Sequence, residues 1–153
     1  MIKHLRIAQE LPQFKDEPAL LIVTGKQALQ IYQAVNGEIK SILSYEMKMP
    51  NYSDLESFVS HSAGGIKRAK DSIVVQNFLK QLNGSVRDIL SRTKISCTYL
   101  YSPNYMMNKV TAALPKSVRK TIKTTFSGNY KNFHPFHLLR MVQRSQLKFN
   151  WTI

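Results

Sequence analysis

Apolar residues follow two kinds of pattern in the first third of the chain. Residues 19–23 (ALLIV) are continuously apolar, which is typical of a strand buried on both faces. Residues 29–35 and 38–45 instead alternate between apolar and polar side chains, and Asn36 and Gly37 stand between them. Because both turn residues tolerate positive φ, an Asn-Gly pair between two alternating runs predicts a β-hairpin. Three antiparallel strands are therefore expected to open the domain.

A long amphipathic helix is predicted in the middle of the chain. Gly64 and Gly65 predict a turn just before it, because glycine adopts backbone conformations that other residues avoid. Gly84 lies inside the helix, at a cost of about 1 kcal/mol relative to alanine. Apolar residues at three- and four-residue spacing, flanked by Phe78 and Leu90, indicate one buried face: Val75, Leu79, Leu82, Val86 and Ile89.

The C-terminal half continues with alternating strands and helices. Residues 95–101 predict a strand that returns to the sheet, and residues 104–114 predict a helix that Pro115 ends. Residues 118–126 alternate and predict a final strand, with a short helix at its beginning as the alternative. Pro135 suits the first turn of a last helix.

These elements together predict one α/β domain, a mixed sheet of about five strands with helices packed on it. The domain is expected to span residues 19–145. Residues 1–18 are expected to form an N-terminal extension, and residues 146–153 a C-terminal tail. Residues 53–59 leave two alternatives open, a short helix begun by a capping box or a loop.

Charge is distributed unevenly along the chain. The formal net charge at pH 7 is +13, and residues 89–153 hold 11 Lys and Arg but no Asp or Glu. Residues 1–88 hold the other 11 cations and all 9 acids. A strong positive field attracts polyanions, of which nucleic acid is the first expectation and an anionic membrane surface the second. The alternative is a lineage whose proteins are generally basic.

The residue types that catalytic sites need are sparse. His134 and His137 are close in sequence, but without a nearby Cys or carboxylate this pair is a weak zinc signal. No Asp or Glu follows Asp88, which argues against metal-dependent cleavage by converging carboxylates. Cys97 lies in an apolar run, which favours a core position over a nucleophile. No cofactor and no metal site are therefore expected.

Basic residues and aromatic residues provide the candidate binding sites. Lys67, Arg68 and Lys70 follow the two glycines at the expected start of the long helix, where exposed N–H groups and the helix dipole also favour a phosphate. The alternative is a glycine turn and a basic helix that bind no ligand. The other candidate phosphate contacts are Arg119, Lys120, Lys123 and Lys131. Candidates for stacking on unpaired bases, or alternatively for anchoring loops, are Tyr101, Tyr105, Tyr130 and Phe133.

The order of these elements and several of their residues resemble a known family. The segments LLIVTGKQALQIYQAVNGEI, GGIKRAKDSIVVQNFLKQLNGSV, TYLYSPNYMMNKVTAALP and SGNYKNFHPFHLL lie within residues 19–142. They are similar to the bacterial and archaeal relatives of eukaryotic-type peptide chain release factors, which include the small proteins required for attachment to host cells. The resemblance implies a fold like the release-factor middle domain, of ribonuclease-H-like or ribosomal-protein-like type.

One residue departs from this family's pattern at the start of the long helix. The resemblance implies that Gly64 and Gly65 match the glycines of a Gly-Gly-Gln loop. Ile66 stands in place of the glutamine that release-active members use to position water against the peptidyl-tRNA ester. Because an isoleucine side chain has no hydrogen-bond donor or acceptor, peptide release by that route is not expected.

The sequence thus predicts a non-catalytic RNA-binding module, associated with ribosomal RNA or tRNA in translation termination, rescue or dormancy. Without an apolar run of roughly 20 residues, no transmembrane segment is expected. The single cysteine favours a reducing, cytoplasmic location. One alternative is a domain that binds a protein partner or itself through the C-terminal aromatic tail. The other is a hydrolase with His61 as general base, which no orienting carboxylate supports.

Overall fold

The computed structural model of the protein describes residues 4–46 and 63–151, and the side chains of residues 4–46 and 73–147 within them. Ten helices and strands follow one another along the described chain. In chain order they are β1 (His4–Arg6), β2 (Ala19–Thr24), β3 (Ala28–Val35), β4 (Glu38–Glu46), α1 (Ala63–Arg92), β5 (Cys97–Ser102), α2 (Asn104–Ala113), α3 (Lys116–Arg119), β6 (Ile122–Ser127) and α4 (Pro135–Trp151).

The described strands form one mixed sheet in the order β1-β4-β3-β2-β5-β6. The pairs β1/β4, β4/β3 and β3/β2 are antiparallel, whereas β2/β5 and β5/β6 are parallel. Helix α1 provides the long connection that a parallel pairing of β5 with β2 requires. The prediction of an α/β domain with helices packed on a mixed sheet is confirmed, although the sheet has six strands rather than five.

The hairpin predicted from Asn36 and Gly37 is present between β3 and β4. Both residues have positive φ, 49° at Asn36 and 78° at Gly37, as the tight turn requires. Ladder pairing begins at once on either side of the turn, with Val35 opposite Glu38. Local turn chemistry therefore sets the register of these two strands.

The N-terminal segment belongs to the domain, contrary to the prediction of an extension over residues 1–18. Strand β1 pairs with β4 and forms one edge of the sheet, with Leu5 opposite Ile39. After β1 the chain crosses one face of the sheet and buries Ile7, Leu11 and Phe14 in the core. Burial of these apolar side chains explains why the segment is held on the sheet rather than left free.

Helices α1, α2 and α3 cover one face of the sheet. Apolar side chains from β2, β3 and β5 form the sheet's side of this core, including Leu20, Ile31 and Leu100. Residues of α1 fill the helix side of the core, in a line at three- and four-residue spacing: Val74, Phe78, Leu82, Val86 and Ile89. The predicted stripe is correct in its last three positions, but Val75 and Leu79 are only half-buried because Val74 and Phe78 face the core instead.

Helix α4 and the N-terminal segment cover the opposite face. Leu138, Leu139 and Val142 of α4 are buried against side chains of β2 and β5. The helix continues to Trp151, so the predicted tail begins inside it rather than after it. The described part of the protein therefore has three layers, with the sheet between α1, α2 and α3 on one face and α4 with the N-terminal segment on the other.

The predicted strand over residues 118–126 begins later than expected. Val118 is buried as part of the short helix α3, which was the stated alternative for this segment. Strand β6 then starts at Ile122, and its pairing with β5 shifts register so that Thr98 lies opposite Ile122 and Tyr99 opposite Thr124. The shift leaves Lys123 as an extra residue on the edge strand, which is the arrangement of a β-bulge.

Candidate nucleic-acid interface

Different groups of basic residues lie at the two ends of the parallel strands β2, β5 and β6. We call the end at which these strands finish the carboxyl edge of the sheet and the end at which they begin the amino edge. At the carboxyl edge, where these strands end, lie Lys26 after β2, Tyr105 in the first turn of α2, and Lys131 in the loop after β6. The N-terminal half of α1 reaches the same edge, because Val74 lines one cavity with Lys26 and Tyr105. The carboxyl edge of parallel strands is where α/β proteins commonly bind ligands.

The first ten residues of α1 carry the predicted basic cluster. The helix begins at Ala63, so Gly64 and Gly65 are helical and do not form the predicted turn. A helix rises about 1.5 Å per residue, which places the backbone of Lys70 about 6 Å and that of Lys67 about 10 Å along the axis from Val74. The basic cluster therefore lies at the carboxyl edge. His61 and residues 53–59 lie outside the described residues.

A small apolar cavity opens between α1 and α2 beside this cluster. Its volume is about 160 Å³, and its walls include Val74, Phe78, Met106 and the ring of Tyr105. Tyr105 is 67% exposed, which leaves its ring accessible to solvent. Of the four predicted stacking residues, it has the largest accessible ring.

The loop after β6 is held by an ion pair and by ring contacts. Lys131 Nζ lies 2.8 Å from Glu46 Oε1, so the charge of this predicted phosphate contact is already balanced by a carboxylate. The Tyr130 ring contacts Phe133 edge to face with ring centroids 5.1 Å apart. The ring of Phe133 remains 42% exposed and provides a second accessible aromatic surface at this edge.

Tyr101 is a core residue, which corrects its prediction as a base-stacking side chain. Its ring is fully buried, stacked on Phe126 at a centroid separation of 4.8 Å. Its hydroxyl donates a hydrogen bond of 2.8 Å to the backbone carbonyl of Leu138 in α4. Burial raises the pKa of this hydroxyl well above its usual range, because ionisation would place a charge in the core.

The remaining predicted contacts lie at the amino edge, where the parallel strands begin. Arg119 ends α3, Lys120 follows it, and both are exposed; Lys123 is exposed at the bulge of β6. With about 3.3 Å per strand residue, the six-residue strand β5 separates the two edges by about 20 Å. The nine predicted site residues therefore form two groups, one at the carboxyl edge and one at the amino edge.

Two basic residues that the sequence did not single out lie at this amino edge. Arg87 of α1 and Lys116 of α3 line a shared open groove of about 540 Å³. They are far apart in sequence, and no periodic pattern links them. Their proximity depends on the packing of α1 against the segment after α2, so only the fold brings it out.

Residues 89–153, which contain no Asp or Glu, form the acid-free half of the chain. Most of its cations form no ion pair within the described part of the protein. Lys131 pairs with Glu46, and Arg92 pairs with Asp88 at 2.6 Å. Exposed cations from this half that form no ion pair with any described residue are Lys94, Lys109, Lys116, Arg119, Lys120, Lys123, Arg140 and Arg144. Their charges are available to an external polyanion.

Other reactive groups offer little chemistry. Cys97 is buried, and desolvation raises the pKa of its thiol although nearby Lys123 acts in the opposite direction. A raised thiol pKa disfavours the nucleophilic thiolate. No group of three or more metal-binding side chains occurs within residues 4–46 and 63–151. Over the same ranges, no helix is both long and apolar enough to cross a bilayer.

Comparison with known proteins gives a distant structural similarity. No protein-family model matches the sequence, and no curated protein matches it significantly. One solved structure that is distantly similar is that of the archaeal translation termination factor aRF1, at 7% sequence identity and a TM-score of 0.49. The similarity covers 88% of this chain but spans only 40% of the aRF1 chain.

Proposed function

We propose that the protein is a non-catalytic RNA-binding module that acts in translation by associating with ribosomal RNA or tRNA. The observation that carries the proposal is the exposed, unpaired positive charge of the acid-free half. An ordinary soluble surface intersperses both signs of charge, whereas a surface of one sign attracts polyanions. The sequence resemblance to release-factor relatives directs the proposal to RNAs of the translation apparatus.

The carboxyl edge supplies both kinds of group that bind single-stranded RNA. Exposed rings at Tyr105 and Phe133 offer stacking surfaces for unpaired bases, and each such contact is worth about 1–3 kcal/mol. Lys67, Arg68 and Lys70 belong to the part of α1 that extends toward this edge, and we propose that they supply charge for the phosphates. Because Lys131 is paired with Glu46, it contributes less than the other cations.

The proposal is tested by titrating the purified protein against ribosomes and against a generic RNA duplex over a range of salt concentrations. We expect ribosome binding that persists near physiological salt and is tighter than duplex binding. Steeply salt-sensitive and equal binding to both would indicate only a basic surface. Absence of binding to either RNA at low salt would overturn the proposal.

The basic cluster of α1 is tested by the triple variant Lys67→Gln, Lys70→Gln and Arg68→Gln. We expect weaker ribosome binding and a plot of log affinity against log salt that is shallower by about three, roughly one per lost phosphate contact. The matched control removes three exposed cations from β1, from β4 and from the segment between β1 and β2. Its substitutions are Arg6→Gln, Lys40→Gln and Lys15→Gln. Equal effects of the two triple variants would mean that net charge alone matters.

A further inference from the structure

The groove at the amino edge, which we call the α1/α3 groove, has a composition suited to one kind of ligand. The two helices contribute its two cations, Arg87 and Lys116, from opposite walls. Hydroxyl groups and apolar carbon surface complete its lining: Leu90, Ser91, Pro115 and Ser117. Arg119 ends α3 and Lys120 follows it, and both extend the positive charge beyond the groove.

The walls of the groove are fixed relative to one another by core packing. Asn83 of α1 donates a hydrogen bond of 2.7 Å to the backbone carbonyl of Ala113, which ties α1 to the end of α2. The two residues that bracket Lys116 in the following segment, Leu114 and Val118, are each 1% exposed and packed in the core. The backbone positions of Arg87 and Lys116 are therefore set before any ligand binds, so that binding has to order only their side chains.

Carboxylates are scarce around these cations. Among residues 73–147, whose side chains the structure describes, Asp88 is the only Asp or Glu. Its carboxylate accepts a hydrogen bond of 2.6 Å from Arg92, one turn along the same helix. Arg87 and Lys116 form no ion pair with a described residue, so both cations can meet an external anion.

We propose that the α1/α3 groove binds the phosphodiester backbone of RNA, with Arg87 and Lys116 each contacting a phosphate. This proposal rests on the proposed RNA-binding function. It adds a second contact region at the amino edge, whereas the exposed rings of Tyr105 and Phe133 lie at the carboxyl edge. The Ser117 hydroxyl forms no hydrogen bond with a described residue and can donate to a phosphate oxygen. The Ser91 hydroxyl already donates to the Asp88 carbonyl, so its oxygen is left to accept from a ribose 2′-hydroxyl.

The lining also predicts the type of recognition. No aromatic ring lines the α1/α3 groove, and no described residue forms an ion pair that would orient Arg87 or Lys116 toward a base edge. Contacts to phosphate and sugar position a nucleic acid but carry no sequence information. The groove is therefore expected to bind RNA without regard to sequence, whereas base stacking belongs to the carboxyl edge.

The test compares two double variants that remove the same amount of charge. Arg87→Gln with Lys116→Gln removes the cations of the groove, and Arg140→Gln with Arg144→Gln removes two exposed cations of α4 on the opposite face. Binding of fluorescently labelled RNA duplexes of two unrelated sequences is measured over a range of salt. We expect the groove variant to bind both duplexes on the order of tenfold more weakly near 0.1 M salt, with a salt slope reduced by about two.

A charge-preserving exchange provides the second variant. Arg87→Lys with Lys116→Arg is expected to retain duplex binding within about twofold, because phosphate contacts in this groove need charge rather than a specific shape. Thermal unfolding of each variant checks that the fold is retained, and photo-crosslinking of bound duplex to peptides around Lys116 in the unmodified protein gives an independent readout.

Each outcome separates this proposal from the broader one. Equal weakening by the groove variant and the α4 variant, or crosslinks confined to the carboxyl edge, would overturn the groove while leaving RNA binding intact. Loss of binding by the unmodified protein to every RNA would overturn both proposals. If the groove variant lost binding to vesicles containing anionic lipid but bound the duplexes as tightly as the unmodified protein, the groove would be assigned to a membrane surface instead.

Discussion

Tyr101 shows how one side chain links the sheet to α4. Its ring lies between the sheet and the loop after β6, stacked on Phe126 and in edge contact with Tyr130 at 5.8 Å. Its hydroxyl reaches past this layer to the Leu138 carbonyl in α4. The hydrogen bond therefore satisfies a polar group that would otherwise be buried without a partner.

Replacing Tyr101 with phenylalanine is expected to lower the free energy of unfolding by about 1 kcal/mol. The aromatic packing is retained, but the buried bond to the Leu138 carbonyl is lost. The matched control is Tyr130→Phe, which removes an exposed bond of 3.1 Å to the Ser127 carbonyl and is expected to change stability by less than about 0.5 kcal/mol. Urea unfolding measures both differences. Equal stability losses would mean that burial does not set the value of the Tyr101 bond.

At the level of secondary structure, the sequence predicts best what is locally determined. The β3/β4 hairpin follows from its two turn residues, and α1 follows from its apolar spacing over many turns. Strand β1 has only three residues and gains its structure from pairing with β4, so no local sequence pattern predicts it. The side-by-side position of Arg87 and Lys116 is likewise a product of helix packing.

The start of α1 illustrates how tertiary context overrides local preference. Two adjacent glycines predict a turn, yet they lie in the first turn of a 30-residue helix. Helix stability in proteins comes mainly from packing of the apolar face, and α1 has that packing from Val74 to Ile89. Gly64 and Gly65 are therefore helical because residues further along the same helix stabilise it.

Gly84→Ala is expected to stabilise the protein by about 0.5–1 kcal/mol. Gly84 lies inside α1, and a Cβ atom built there has no neighbour within 4 Å, so alanine gains helix propensity without a clash. The contrasting variant is Gly37→Ala at the hairpin. There φ is +78° and the new Cβ lies 3.0 Å from Gln13 Oε1, so destabilisation is expected. Thermal unfolding compares the two, and a lower melting temperature for Gly84→Ala would contradict the helix-propensity argument.

Over the whole molecule, the uneven charge and the two-sided core have separate consequences. The exposed cations lie on α1, α3, β6 and α4, so the proposed RNA binding depends on charges at the surface. Stability depends instead on the buried layers, three of whose tyrosines have pKa values raised by burial. Salt is therefore expected to weaken RNA binding, whereas alkaline pH acts on the core.

The free energy of unfolding is expected to fall as pH rises above about 10. An unfolded tyrosine loses its proton near that pH, whereas burial raises the pKa of Tyr99 to about 12 and also raises those of Tyr32 and Tyr101. Between the unfolded and folded pKa values the folded state binds more protons, so the unfolded state gains relative stability with increasing pH. Each such tyrosine contributes a slope of about 1.4 kcal/mol per pH unit.

Tyr99→Phe isolates this effect from all other alkaline titrations. We expect wild-type protein and the variant to show parallel pH profiles below about pH 9. Between about pH 10 and 12, stability of the variant should fall less steeply, by about one proton's worth of slope, because residue 99 no longer ionises in the unfolded chain. Urea unfolding at a series of pH values gives both curves. Profiles that stay parallel up to pH 12 would mean that Tyr99 ionises equally in the folded and unfolded states, and hence that its burial does not resist ionisation.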